Sequence, residues 1–422
     1  MKKLFLSAMA VVTMLFTACT SNDELVQNDE TGVQRIILAV ENASGNATRA
    51  GRELLSSEAK QSIQNVKVII TKQSDNTIVY VKDYTDWNNT ESTTYNAGGH
   101  GRQAEIVLSG SDKLAAGSYN IYAIGYHTGS QYTMGADVAL ATELAKYTKV
   151  ASAPYNQFVP NTLLKANAVT AEEIFAGYNS MTVTGTGVKT TIVLHRQVAG
   201  VFAYVDEIPY IAGAAKLSLY ASDNNTSLIL GKFMPENGAE LAANGTNTNN
   251  KVVNGYTASG TVTKIMSTNL SSWFSSIVAD ANNLIDATKW NADGSKYVSG
   301  SVFMGQFIVP FRRYDGRTTL VLKLEDSSDA ELRAWNIKLP SGDVTAGNIN
   351  YWDGSAWATT STSATTSAYN IFRNHLYGIG TKATDGPSDP GNNDDPQTLN
   401  TKEDLVLKVN DNWEVIHTME IE

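Results

Sequence analysis

The sequence is short of cysteine, proline and basic charge, and each shortage removes a class of answers. One cysteine among 422 residues excludes a disulfide framework within the chain and a cysteine-rich zinc site. Nine prolines, and 32 glycines with no period, exclude a collagen-like chain, and no Glu/Lys/Leu-rich heptad stretch supports a coiled coil. Lys and Arg total 32 against 42 Asp and Glu, a formal net charge of −10. No basic block appears, so a nucleic-acid partner would find no electrostatic footprint. Catalytic motifs are missing as well: there is no G-x-S-x-G, no H-E-x-x-H and no G-x-x-x-x-G-K-[ST]. Gly378-Ile-Gly380 fits a loose dinucleotide pattern but runs into a proline-rich stretch instead of a helix. The five histidines, at 100, 127, 195, 375 and 417, are scattered, and the pair Glu172-Glu173 reads as solvated surface. Neither an enzyme, a metal site nor a cofactor is expected. Hydrophobic residues still make up 42%, an ordinary share for a globular chain, and the length allows about two or three domains.

The single cysteine stands at an informative place. Lys2 and Lys3 precede a short apolar run, Leu4 to Phe16, too short for a membrane span and typical of a secretory signal. Phe16-Thr17-Ala18-Cys19 closes it, with small residues ahead of the lone Cys. This resembles a bacterial lipobox, with Phe16 a departure from the usual residue three before the Cys. The resemblance implies removal of residues 1–18 and a lipid (diacylglycerol and palmitate) on Cys19. The polar, acidic stretch Thr20 to Glu30 reads as a tether, and acidic residues just after the Cys resemble the surface-export signals of Bacteroidetes lipoproteins.

The rest reads as strands. Val33–Val40 is β-rich, with Ile36, Leu38 and Val40 on one face. Val66–Thr71 and Thr77–Val81 flank Ser74-Asp75-Asn76, a hairpin signal. Ala104–Leu108, Ser118–Tyr126, Thr191–Leu194, Gly200–Val205, Lys216–Tyr220 and Thr318–Lys323 continue the pattern. In Ser118–Tyr126, Tyr119, Ile121 and Ala123 face one way and Tyr122, Ile124 and Tyr126 the other. Helical periods are best at 136–147 and 270–286. Many short strands with Gly/Asn/Ser/Asp turns predict β-sandwiches, an all-β fold. A domain boundary is expected near 181–190, a surface excursion at 235–260, a loop at 355–369 and an extended linker at Ala383–Pro396. Beyond that linker come two more strand patterns. Leu405, Leu407 and Val409 share a face of the first. Trp413, Val415, Met419 and Ile421 share a face of the second, which His417 interrupts. Two strands on a flexible arm need a sheet to join. The 19 Tyr and 7 Trp invite a carbohydrate-binding reading, with sheet and core packing the favoured alternative.

Taken with the Cys19 lipobox, Thr48-Arg49-Ala50, Ile371–Ile379 (IFRNHLYGI) and Asn412–Ile421 (NWEVIHTMEI), the layout resembles a fimbrillin, the type V pilus subunit of Bacteroidales. Leu194–Val201 (LHRQVAGV) resembles the strand that opens the second domain in that family. The resemblance implies two tandem transthyretin-like β-sandwich domains with few short helices and a C-terminal donor-strand extension. It divides the chain into a signal peptide (1–18), a lipidated propeptide with the first strand (19–49), sandwiches at 50–185 and 186–382, an acidic linker (383–398) and donor strands (399–422). It also implies a mechanism. The lipoprotein precursor reaches the outer membrane, an arginine-specific protease cuts between Arg49 and Ala50, and the freed groove accepts the next copy's donor residues Leu405, Leu407, Val409, Trp413, Val415, Met419 and Ile421. The partners implied are further copies in a cell-surface fimbria that supports adhesion, anchor and tip proteins, and the protease. Arg49 lies in the small, polar, glycine-bearing stretch Asn42–Gly51, the kind of segment that is nicked readily, with Arg52 the competing site. Two alternatives use the same features: a surface glycan-binding lipoprotein of a nutrient-uptake system, and an uncleaved anchor or accessory fimbrial subunit.

Overall fold

The computed structural model describes residues 33–40, 63–94, 102–135, 137–159, 165–167, 171–185, 187–223, 225–230, 251–257, 261–292, 294, 297–314, 316–340, 347–362, 364–380, 396–400 and 404–410. In chain order, the first part forms β1 (Val33–Val40), β2 (Asn65–Lys72), β3 (Ile78–Tyr84), β4 (Thr93–Thr94), β5 (Arg102–Leu108), β6 (Gly117–Tyr126), β7 (Thr133–Met134), β8 (Val138–Ala139), α1 (Leu140–Ala145), β9 (Lys165–Asn167), β10 (Ile174–Val183) and β11 (Gly187–Arg196). The second forms β12 (Ala199–Asp206), β13 (Lys216–Ala221), β14 (Ser227–Ile229), β15 (Val252–Val253), β16 (Gly255–Tyr256), β17 (Thr263–Asn269), β18 (Val302–Ile308), β19 (Leu320–Glu325), β20 (Glu331–Lys338), β21 (Gly347–Trp352), β22 (Trp357–Thr362), β23 (Leu376–Ile379), β24 (Gln397–Thr398) and β25 (Asp404–Asn410). Strands dominate, as the alternation predicts, and the fold is all-β.

Two long sheets carry the architecture, in orders β3-β2-β6-β10-β11-β1-β5-β4 and β17-β13-β19-β20-β25-β23-β12-β18. Each folds over itself at one strand that changes partner along its length. In the first, β11 pairs with β1 over 187–194 and with β10 at 195–196. Gly177 of β10 sits where the two part: a Cβ there would lie 2.2 Å from the Val193 carbonyl oxygen, so only glycine lets the strands approach before diverging. In the second, β25 pairs in parallel with β20 over 404–406 and antiparallel with β23 over 407–410. The folded halves enclose a core, with Ile36, Leu38 and Ile106 facing Val66, Val68 and Ile121 in the first sandwich. In the second, Val201, Ala203 and Val205 face Leu217, Leu219, Leu322 and Trp335.

β6 shows why its sequence lacks a polar face. Tyr119, Ile121 and Ala123 line the first core, while Tyr122, Ile124 and Tyr126 pack on the other side against α1, Tyr132 and Phe158. Both sets fall where the alternation placed them.

Several expectations are corrected. The Gly/Thr-rich stretch near 181–190 is the β10–β11 turn, not a boundary. Both strands belong to the first sheet, and the chain enters the second only with β12, so the crossing falls between Arg196 and Ala199. Turns and linkers share small polar residues, and composition does not separate them. The helical period at 136–147 yields α1, but 270–286 gives only a 3-10 turn at Leu270–Ser272 followed by isolated bridges, among them Ala279 with Ile285. The Ser/Thr-rich stretch expected as a loop contains β22, paired along its length with β21. Within the expected excursion, Val252, Val253 and Asn254 are buried. Glu173, expected at the surface, is buried too and pairs with Arg196.

The linker expectation also changes. Residues 381–395 lie outside the described set, but the described residues on either side, Gly380 and Gln397, lie at the same place. A Cβ on Gly380 (φ +78°) would lie 2.2 Å from the Tyr204 carbonyl oxygen and 3.0 Å from the Gln397 nitrogen. From there β24 pairs with β12, Leu399 N–H donates to the Asp206 carbonyl, and Leu399 is fully buried. Residues 396–400 and 404–410 are part of the second domain rather than an arm held away from it.

Candidate functional site

The most distinctive feature of the first sandwich is the placement of β1. It is the first described strand, yet it lies inside the sheet and not at its edge. It pairs in parallel with β11 along all eight residues, from Val33 with Gly187 to Val40 with Leu194. On its other side it pairs antiparallel with β5, from Gln34 with Leu108 to Val40 with Arg102. A strand of Val/Ile/Leu with alternating burial suits this position. Ile36 and Leu38 are fully buried among Ile106, Leu108, Val188, Ile192 and Leu194. On the outer face, Arg35 forms an ion pair with Glu105 at 2.9 Å.

At its start the strand carries a polar key. The Gln34 side chain is buried, and its amide meets one residue's main chain twice. Nε2 donates to the Leu114 carbonyl at 2.8 Å, and Leu114 N–H donates to Oε1 at 2.8 Å. Leu114 lies in the connection before β6, where Tyr119 Oη donates to the Ala115 carbonyl at 2.9 Å and burial raises the Tyr119 pKa. Sequence reasoning passed over Gln34; the signal available was a glutamine at an inward position of an otherwise apolar strand. Gln34→Leu leaves a buried N–H and a buried C=O without partners. It is expected to cost about 1–3 kcal/mol for each group left unpaired, measured as a lowered denaturant midpoint at unchanged m-value.

β1 is joined to β2 only through residues 41–62, the stretch that holds Arg49, Ala50 and Arg52. These residues lie outside the described set, as does Cys19. A cut anywhere in that stretch leaves β1 held by pairing and packing alone. Its loss would bare the facing edges of β5 and β11 over an apolar floor, a template for another strand.

The residues expected to donate are divided. Leu405 and Leu407 lie on β25, fully buried in the chain's own second core. Asp404 binds Lys338 at 2.6 Å, and Val409 is paired with Tyr377. Trp413, Val415, Met419 and Ile421 lie outside the described residues. The alternation of 405–409 is therefore that of a resident strand joining two sheets.

The two remaining motif segments meet. β12 pairs in parallel with β23 from Gly200 with Leu376 to Ala203 with Ile379, which brings Leu194–Val201 against Ile371–Ile379. Where they meet, Arg196 donates to Glu173 Oε1 through Nε at 2.9 Å and Nη2 at 2.7 Å, and through Nη1 to Asn374 Oδ1 at 3.4 Å. Gln197 Oε1 accepts from Arg373 at 3.2 Å and from Asn254 at 3.0 Å. Asn374 N–H donates to the Val198 carbonyl, and Gly200 N–H to that of His375. These segments form a buried polar junction that ties the two sandwiches together. His195 and His375 both belong to it, His375 with Nδ1 2.7 Å from the Arg373 carbonyl oxygen. Glu173→Ala removes the carboxylate that Arg196 pairs with in a dry site and is expected to cost about 3–5 kcal/mol, read by thermal unfolding.

Among the described residues no group of three His, Cys, Asp or Glu side chains could hold a metal ion. Many aromatics are core: Trp87, Trp335, Tyr122, Tyr132, Tyr204 and Tyr369 are all fully buried.

No protein-family model matches the chain, and no curated protein matches it. Among solved structures, it is similar to the tip fimbrial protein Mfa3 of Porphyromonas gingivalis, with C-terminal truncation, at 8% identity and a TM-score of 0.36, covering 82% of this chain and 93% of that one. It is similar to the fimbrial anchor protein Mfa2 of the same organism at 10% identity and a TM-score of 0.32, covering 80% and 100%. A candidate polysaccharide-binding protein of Bacteroides thetaiotaomicron gives 11% identity and a TM-score of 0.34, covering 80% and 98%. Likenesses at these scores transfer neither a function nor a partner.

Proposed function

We propose that the chain is the lipoprotein precursor of a cell-surface pilus subunit that polymerises by strand replacement. Cleavage after Arg49 detaches β1, and the segment 411–422 of the next copy takes its place between β5 and β11. The observation that carries this reading is β1 itself: a strand near one end of the chain, fully paired on both edges, joined to the rest only through an arginine-bearing stretch. The fimbrillin resemblance of Thr48-Arg49-Ala50 and Asn412–Ile421 supports it independently. The donor is narrowed to Trp413, Val415, Met419 and Ile421, because freeing Leu405 and Leu407 would pull β25 out of two sheets at once. While β1 stays tethered, a competing strand faces an effective concentration on the order of mM, so the uncut precursor remains monomeric. A head-to-tail contact of this kind does not close on itself and builds a filament. The lipid on Cys19 holds the precursor at the outer membrane until cleavage, and the mature subunit supports adhesion.

Arginine-specific proteolysis of the purified chain is expected to give SDS-resistant ladders whose subunits begin at Ala50, read by gel and N-terminal sequencing. Arg49→Ala with Arg52→Ala should leave a monomer under the same treatment. Ladders from the doubly substituted chain would contradict the proposal.

A further inference from the structure

The slot left by β1 is not uniformly apolar, and this fixes which residue of an incoming strand goes where. Its inward positions read polar, apolar, apolar from Gln34 through Ile36 to Leu38. At the polar position, the Leu114 N–H and C=O would lose both their partners when β1 leaves. A replacement strand with a polar side chain there can pair at least one of them. The inward face of the 413–421 segment reads Trp413, Val415, His417, Met419, Ile421. A neutral imidazole has one N–H donor and one bare acceptor nitrogen on diverging axes, so it can meet one of the two Leu114 groups that the Gln34 carboxamide meets together.

Resting on the strand-replacement reading, we propose that His417 is the register key of the donor strand, taking the place of Gln34 against the Leu114 main chain of the neighbouring copy. Met419 then fills the Ile36 position and Ile421 the Leu38 position. A slip of two residues one way puts His417 at Ile36, in the fully buried core, with Val415 facing Leu114. A slip the other way puts Met419 against Leu114. Both leave the two main-chain groups unpaired, whereas the proposed register pairs one of them and puts Met419 and Ile421 at the two fully buried positions, Ile36 and Leu38. It runs the donor parallel to β11, as β1 does. Thr418 then occupies the Arg35 position, opposite the exposed Val107 of β5. Glu420 lies across from Glu105 on the solvent face, where that like-charged contact is weakest.

The test is assembly after arginine-specific cleavage of chains carrying one cysteine in the donor and one in the slot. The native Cys19 leaves with the cleaved fragment. Thr418→Cys with Val107→Cys should give disulfide-linked ladders, and Thr418→Cys with Glu105→Cys should give at least tenfold fewer. His417→Leu should slow ladder formation at least tenfold and spread the cross-links over both slot positions. His417→Gln, which returns the group that β1 itself uses, should assemble within about twofold of the unsubstituted rate. Ladders whose cross-links favour Glu105→Cys, or a His417→Leu chain that assembles at the normal rate with an unchanged pattern, overturn the register and leave strand replacement standing. An unsubstituted chain that is cut yet forms no ladder overturns both.

Discussion

A chain ending at Asn410 is expected to be cleaved normally by the arginine-specific protease and to form no ladder at all, while its thermal unfolding matches that of the full chain. The two halves of this result come from different parts of the molecule. Polymerisation fails because the donor segment is gone, and with it Met419 and Ile421, which would cover Ile106, Val188 and Ile192. Stability is kept because both sandwiches are closed without residues 411–422, the second by β25 across β20 and β23. A chain ending at Thr398 should behave differently. It loses Leu399, Leu405 and Leu407 from the core, roughly 1.5–3 kcal/mol for each buried side chain, and it leaves β20 and β23 with bare edges. Comparing the two truncations separates the donor from the domain. If both lose assembly and both keep full stability, β25 belongs to the arm and the narrower donor is wrong.

The second large effect is on the joint between the sheets of the second sandwich. Leu405→Ala and Leu407→Ala are each expected to destabilise that domain by about 2–5 kcal/mol, the usual cost of opening a cavity in a packed core. Leu405 stands at the pairing with β20 and Leu407 at the pairing with β23. Each substitution therefore loosens one sheet against the other, and together they should cost more than either alone. Equilibrium unfolding in denaturant reads the effect. A loss below 1 kcal/mol for both would mean that β25 does not sit in the core under those conditions.

Local alternation made most of the strands legible. Val33–Val40 reads as a strand because its branched residues alternate, and it is β1 residue for residue. The two faces of Ser118–Tyr126 were visible for the same reason. Partner choice was not visible. Nothing in Leu405–Val409 distinguishes a strand that stays from one that leaves, because burial in one's own core and burial in a neighbour's make the same demand on the side chains. The return of the chain at Gln397, beside Gly380, is a tertiary contact with no local signature. Glu172-Glu173 looked like surface because charged pairs usually are; the burial of Glu173 depends on Arg196, whose place is set by β11. The Gly/Thr stretch at the β10–β11 turn reads as a domain boundary because tight turns and inter-domain connections draw on the same residues.

The candidate slot was half legible. The strand and the arginine beside it stand out in sequence, whereas the Gln34–Leu114 key spans 80 positions and only the fold reveals it. Its counterpart at His417 then acquires a role that its interruption of an apolar face left open.

The measurement that bears most directly on strand replacement is the structure of the assembled polymer by electron cryomicroscopy. Density for residues 411–422 of one copy, running parallel to β11 between β5 and β11 of the next, with no Val33–Val40 present, is the predicted result. Density for Val33–Val40 still in that position, with subunits joined through some other surface, would contradict it.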